Sequence, residues 1–419
     1  MSCCSHLRAR ASTCLWITGS AGSDSARSFI SCRRNLSHGA RFRYRLSATG
    51  YPRRTALAVK LSPDRTLFVA TVCLVSFGLV MLYSASAVVA HDAHRSSHFF
   101  LVKQSMWACV GLLLMLALTR FDYRTLKHPV VIYGLLAAVV VLLVGVLFTP
   151  PLKNAHRWIR VGLLSFQPSE LAKLTLVIAL AYELDRRFER LNEFVSGWLP
   201  SLLTTGFLAF LVLIEPDYST SFILVFISAC LFFAAGVPVQ KLAWLAAVSG
   251  PVLFWLVLSE DYRRERLLIF LDPFRDPLGK GFQIIQSLIA VGSGGLFGAG
   301  YMRSQQKLFY LPEPHSDFIF AVIGEELGLI GALGVVAAFC VLLWRGLVIA
   351  SRATDRFGSL VATGLTMLLV GQALINIGVT LGMLPTTGLT LPFISSGGTS
   401  LVTSMIAVGL LLSVSQHAR

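Results

Sequence analysis

Charge is what this sequence has least of. Only 14% of its 419 residues are Asp, Glu, Lys or Arg, while 55% are hydrophobic; an ordinary soluble domain carries about 25% charged residues. The deficit excludes a soluble globular enzyme, a disordered chain and a nucleic-acid module. Cysteine is sparse as well. Cys3, Cys4, Cys14 and Cys32 lie near the N-terminus, and Cys73, Cys109, Cys230 and Cys340 stand singly inside apolar runs. No pair has metal-ligand spacing, so neither a disulfide framework nor a zinc site is expected. Nor is there an internal repeat of convincing strength.

Long apolar runs are what the chain has instead. They fall at about 66–90, 99–119, 129–149, 169–184, 199–214, 220–236, 240–258, 317–345, 358–382 and 400–416, near the ~20 residues a straight span requires. The expected fold is an all-α polytopic membrane protein of about ten transmembrane helices in residues 61–419, with a large outer loop at 259–316. Residues 1–60 carry eleven of the 36 Lys and Arg but only one of the 21 acids, Asp24. They read as an upstream start, a transit-like segment or a basic disordered tail able to touch anionic lipid.

Orientation follows from Lys and Arg in short loops. With the N-terminus inside, the inner connections hold Arg120, Arg124 and Lys127, then Arg186, Arg187 and Arg190, Lys241, and Arg345, Arg352 and Arg356. Both termini are then cytoplasmic. Two outer loops oppose the rule. Loop 150–168 carries Lys153, His156, Arg157 and Arg160; loop 259–316 carries Arg263, Arg264, Arg266, Arg275, Lys280, Arg303 and Lys307 beside six acids. Either these cations meet an anionic ligand, which guanidinium groups bind bidentately, or they are paired within solvated loops. Residues 281–300 place Ile284, Ile285, Leu288 and Ile289 at helical spacing before a run of glycines. That pattern predicts a short amphipathic helix at the outer surface, then backbone able to approach a ligand or neighbouring helices closely.

Ionisable groups inside spans are costly and are functional or paired. Glu170 and Lys173 share a helix face and can neutralise each other. Asp217 and Ser219 suit a cap for the following span. Glu325 and Glu326 must be protonated, paired or wet, and Gln372 with Asn376 form an i,i+4 polar pair able to join helices or meet substrate. Asp317, where the chain enters the eighth span beside Phe318, Ile319 and Phe320, is a helix cap or a half-desolvated general base. Residue chemistry alone leaves both open.

Five ordered stretches resemble one family. They are HRWIRVGLLSFQPSELAK (156–173), EPDYSTS (215–221), DPLGKGFQIIQSLIAVGSGGLFGAG (276–300), SQQKLFYLPEPHSDFIFAVIGEELG (304–328) and NIGVTLGMLPTTGLTLPFISSGGTS (376–400). Together they resemble the SEDS proteins (shape, elongation, division and sporulation), membrane polymerases of bacterial peptidoglycan, and LPTTGLTLPFIS is closer to the cell-division branch than to the elongation branch. The resemblance implies glycosyl transfer from lipid II at the outer face of the cytoplasmic (inner) membrane. Asp317 would be the catalytic base and undecaprenyl diphosphate the leaving group. It makes Arg157, Trp158, Arg160, Glu170, Lys173, Lys280, Gln283, Gln286, Ser287, Ser304, Lys307, Glu313, His315, Gln372, Asn376 and Ser395 candidate substrate-binding residues. No metal site is implied by the motifs, although Mg or Mn is one way to offset charge on the diphosphate. Expected partners are a class B penicillin-binding protein and other divisome membrane proteins, with no nucleic acid. Several positions depart from the family pattern: Ser316 stands for Thr, Ser396 for Tyr, Ala155 for Gly, and Tyr218-Ser219 for an aliphatic residue and Gly. A lipid II flippase, an elongation-type polymerase and a non-catalytic scaffold are the competing readings.

Overall fold

The computed structural model describes residues 62–94, 97–150, 157–161, 164–258, 261–279, 281–308 and 314–418. The N-terminal segment 1–60, Lys153, His156, Lys280 and Glu313 lie outside the described residues. Ten long helices follow the ten apolar runs: α1 (Arg65–His94), α2 (Phe99–Arg120), α3 (Pro129–Val146), α4 (Pro168–Arg186), α5 (Leu199–Ile214), α6 (Tyr218–Ala234), α7 (Val239–Leu258), α10 (Ile319–Arg352), α11 (Arg356–Thr380) and α12 (Gly398–Ser415). Two shorter ones, α8 (Asp261–Leu271) and α9 (Phe282–Ser293), lie between α7 and α10. Local chemistry sets several starts. Pro168 and Pro129 occupy first-turn positions, where the missing N–H costs nothing. The Asp217 carboxylate caps α6 through Thr220 N and that of Asp355 caps α11 through Gly358 N.

Among the described residues seven of these helices are long and apolar enough to cross a membrane unaided. The central α4 is the instructive exception. It carries Glu170, Lys173, Glu183, Asp185 and Arg186, yet nearly every residue from Pro168 to Leu184 is buried among α3, α5, α6, α11 and α12. Protein surrounds it, so its polar groups find partners instead of hydrocarbon. The molecule is an all-α polytopic membrane protein.

Three features were not foreseen. Ile159–Val161 and Leu164–Phe166 form an antiparallel pair, β1 and β2, with Arg160 opposite Ser165. Helix α8 lies within the long connection between α7 and α10. The eighth run is two helices rather than one, broken at Gly328 (φ 65°, ψ −163°). The break is filled by the glycine-rich strand of chain after α9. Ala299 N and Gly300 N donate to the carbonyls of Glu325 (2.9 Å) and Glu326 (3.0 Å), and Leu329 N and Ile330 N donate to those of Gly295 (2.9 Å) and Leu296 (3.3 Å). Groups that a broken helix would orphan are thereby satisfied. Gly298 must lack a side chain: its φ is +81° and a Cβ there would sit 2.1 Å from the Glu326 carbonyl oxygen. The glycines thus serve helix packing.

Helix α9 buries Ile284, Ser287 and Ala290 and leaves Leu288 and Ile289 exposed. Of the predicted apolar face, Ile284 is fully buried, Ile285 is half-buried, and Leu288 is partly exposed beside Gly382. Ser287 occupies the middle of the buried face because its hydroxyl donates to the carbonyl of Thr380 (2.7 Å), closing the end of α11.

Candidate active site

Asp317 lies in the turn 314–318 that leads into α10. The cap position of that helix falls on Phe318, so Asp317 precedes the cap and is half-buried while Phe318, Ile319 and Phe320 are fully buried. Its backbone is tied to the end of α11 and to segment 384–397. The Asn376 side-chain amide donates both to the carbonyl of Asp317 (2.9 Å) and to that of Leu389 (2.7 Å). The Ser395 hydroxyl donates to the carbonyl of Ser316 (2.6 Å), and Ser396 N donates to that of His315 (2.9 Å). The carboxylate borders Gly388, where a Cβ would stand 3.8 Å from Oδ2. Gly388 N in turn donates to the Ser219 hydroxyl (3.3 Å). The His315 ring packs on Phe100, with centroids 4.6 Å apart.

Beneath this turn lies a buried polar chain. Lys173 Nζ donates to Glu170 (2.9 Å) and to the Gln372 side-chain oxygen (2.8 Å), and the Gln372 amide reaches the carbonyl of Thr390 (2.9 Å). Lys173 is 1% exposed. The pair predicted on one face of α4 therefore forms, and its extra bond joins α4 to α11 and to the loop carrying Ser395.

The basic candidates divide. Arg157 donates to the carbonyls of Glu215 (3.3 Å) and Pro216, and stands 4.0 Å from Asp217; it staples the turn between α5 and α6. Asp217 also accepts from Gln167 (3.1 Å) and Thr220 (2.8 Å), the capping role expected for it. Arg160, on β1, is exposed. Trp158 is half-buried beside it. Lys307 does not face the outer surface. It is buried against Glu326 (2.7 Å) and Ser84 (3.1 Å), while Glu325 accepts from the Ser304 hydroxyl and from Gln305 N (2.7 Å). Glu326 is thus ion-paired and Glu325 is held by a hydroxyl and backbone N–H groups, and Lys307 and Ser304 form a cluster with α1 separate from the Asp317 turn. Gln283 and Gln286 are half-buried on α9. Two residues missed in the sequence also reach the site's loops. Arg266 on α8 donates to the carbonyl of Thr386 (2.9 Å), and buried Gln104 on α2 donates to that of Ser395 (3.1 Å). Gln104 stands between Lys103 and Ser105, so nothing in the sequence singles it out, and nothing singles out Arg266 from its charged neighbours.

Electrostatics single out Glu215. Its side chain is fully buried and neither carboxylate oxygen has a hydrogen-bond partner. Burial, then the nearby Asp217 charge, push it up to about 8 against a smaller opposing effect of Arg157. At neutral pH it is a neutral acid. Because the folded state holds this proton and the unfolded state releases it near 4.5, the contribution falls as pH rises from about 4.5 and levels off above 8. Glu215→Gln is therefore expected to keep the fold at pH 7 and to flatten the decline in Tm between pH 5 and 8. Thermal unfolding in detergent across that range measures it.

The FtsW/RodA/SpoVE family model, described as a cell cycle protein, matches residues 65–419. The chain belongs to the FtsW/RodA/SpoVE family. Stage V sporulation protein E of Bacillus subtilis is 43% identical over 365 residues, 86% of this chain and 99% of that protein. The probable peptidoglycan glycosyltransferase FtsW of Geobacter metallireducens is 41% identical over 359 residues, 85% of this chain and 95% of that protein. Among solved structures, a chain of a peptidoglycan synthase complex coordinating polymerization and crosslinking superposes with TM-score 0.70 at 36% identity, covering 85% of this chain and 98% of that one. Thermus thermophilus RodA gives TM-score 0.63 at 30% identity, covering 85% and 97%. The SEDS resemblance and the kinship to FtsW stand.

Proposed function

We propose that this protein is a peptidoglycan glycosyltransferase of the division type, polymerising lipid II at the outer face of the bacterial inner membrane with Asp317 as general base. The observation that carries the reading is the Asp317 turn: one half-exposed carboxylate, its backbone fixed by Asn376 and Ser395, at the end of the bundle where α4, α6, α10 and α12 begin. The inward bias of Lys and Arg supports putting that end outside. The acceptor sugar's 4-hydroxyl oxygen forms a bond to the donor's anomeric carbon as its proton passes to Asp317. The bond from that carbon to undecaprenyl diphosphate breaks with its electron pair, and configuration inverts. A single carboxyl suffices because the diphosphate needs no protonation to leave, unlike the sugar oxygen of glycoside hydrolysis. Asn376 and Ser395 are positioning residues, acting through the Asp317 backbone. Exposed Arg160, and Arg266 at the Thr386 loop, are the guanidinium groups suited to the departing diphosphate.

Among the described residues no group of three or more His, Cys, Asp and Glu gathers as a cation site. No step is routed through Mg or Mn. The buried polar chains lie near helix starts and at the α10 break, not across the middle of the bundle, which disfavours a flippase. We further propose a class B penicillin-binding protein and other divisome proteins as partners at the septum. Purified protein with its transpeptidase partner should convert lipid II in liposomes into glycan strands visible on gels. Translocation of labelled lipid II without strand formation would replace this reading with the transporter one.

A further inference from the structure

At the opposite end of the bundle, where α4 ends and α11 begins, lies a cavity of about 540 Å³. The glycosyl-transfer site makes no use of it. Arg186, Arg187, Arg190 and Arg356 line it, with Asp185 and Glu189 as the acids. Asp185 is already neutralised by Lys127 at 2.7 Å. Arg187 stands 3.7 Å from Glu183, and its Nη1 has no hydrogen-bond partner. Arg356 lies over the Phe188 ring, 3.3 Å from its centroid. Arg186, Arg190 and Arg356 have no carboxylate within ion-pair reach among the described residues. The bias of basic residues toward one side of a membrane accounts for arginines at this end, and a helix C-terminus favours Arg186 and Arg187. Neither accounts for three arginines without a carboxylate partner lining one hollow.

The rim identifies the occupant. Phe188 lines the cavity, and Phe194 and Val195 directly precede Ser196, which also lines it; the three are 39%, 46% and 71% exposed. Apolar side chains next to guanidinium groups at a bundle end match the headgroup–acyl boundary. We propose that this cavity binds the phosphoryl headgroup of an anionic lipid, bidentately through Arg186, Arg190 and Arg356, with the lipid's chains against Phe194 and Val195. Three arginines can engage two phosphates at once, which favours cardiolipin over phosphatidylglycerol.

Native mass spectrometry of the full-length protein, titrated with cardiolipin in detergent, tests this. Each basic group near a lipid surface contributes about 1 kcal/mol, so replacing Arg186, Arg190 and Arg356 by Gln should weaken cardiolipin binding roughly a hundredfold. Removing three arginines of the same end that do not line the cavity (Arg65, Arg120 and Arg352 to Gln) should change it less than about threefold, because salt screens charges away from the bound headgroup. Arg190→Gln alone, on an exposed turn, should cost about fivefold with an unchanged Tm, and covers the case in which the triple variant does not fold. An equal loss in the control triple, or no loss in Arg190→Gln, overturns the proposal. Displacement of cardiolipin by excess inorganic phosphate would assign the site to free phosphate and overturn the lipid.

Discussion

Asp317→Asn is expected to abolish strand synthesis. A positioned general base contributes typically 10²–10⁴-fold, and the isosteric amide cannot accept the hydroxyl proton. Its backbone partners, the Asn376 amide and the 395–396 loop, do not depend on the carboxylate. The variant should therefore fold, elute as wild type and still bind lipid II, with the loss in kcat and not in KM. Single-turnover polymerisation with matched protein concentrations distinguishes this from a folding defect. A loss confined to KM would make Asp317 a binding residue instead.

The second large effect concerns stability. Glu326 is 0% exposed, and Lys307 and Ser84 are the side chains that satisfy it. Lys307→Met leaves its carboxylate uncompensated, which in buried pairs costs about 3–5 kcal/mol. Adding Glu326→Gln to Lys307→Met removes the orphaned charge and should recover most of that loss. Unfolding of the two variants in mixed micelles reads the difference. If the double variant is no more stable than Lys307→Met, the pair does not hold loop 304–307 to α10. Because Glu325 binds the same loop through Ser304 and Gln305, and Glu325 and Glu326 receive the glycine-rich strand through their carbonyls, the destabilisation should spread to segment 294–300.

Much of this architecture was legible because bilayer length and hydrophobicity leave few options: all ten apolar runs became helical, the eighth with a break at Gly328. The Glu170–Lys173 pair could be read from an i,i+3 spacing, and the Asp217 cap from its place before an apolar run. Lys307 could not be placed, since its partners come from α1 and α10, far along the chain. Gly328 looked like an ordinary residue within a long span; its break becomes visible only when the 295–300 strand is seen bonding across it. Arg157 was one of the loop cations read as candidates for an anionic ligand, yet two of its hydrogen bonds go to backbone carbonyls. Asp317 itself remained a cap or a base on residue chemistry alone. The structure moves the cap position to Phe318, and membership of the family supports the base.

The most direct test is a structure of the protein with a lipid-linked acceptor saccharide bound. The acceptor's 4-hydroxyl oxygen should lie within about 2.6–3.2 Å of an Asp317 carboxylate oxygen, or one water away, with the diphosphate of the donor toward Arg160 or Arg266. A saccharide seated with that hydroxyl against another carboxylate, and Asp317 facing away from it, would contradict the account.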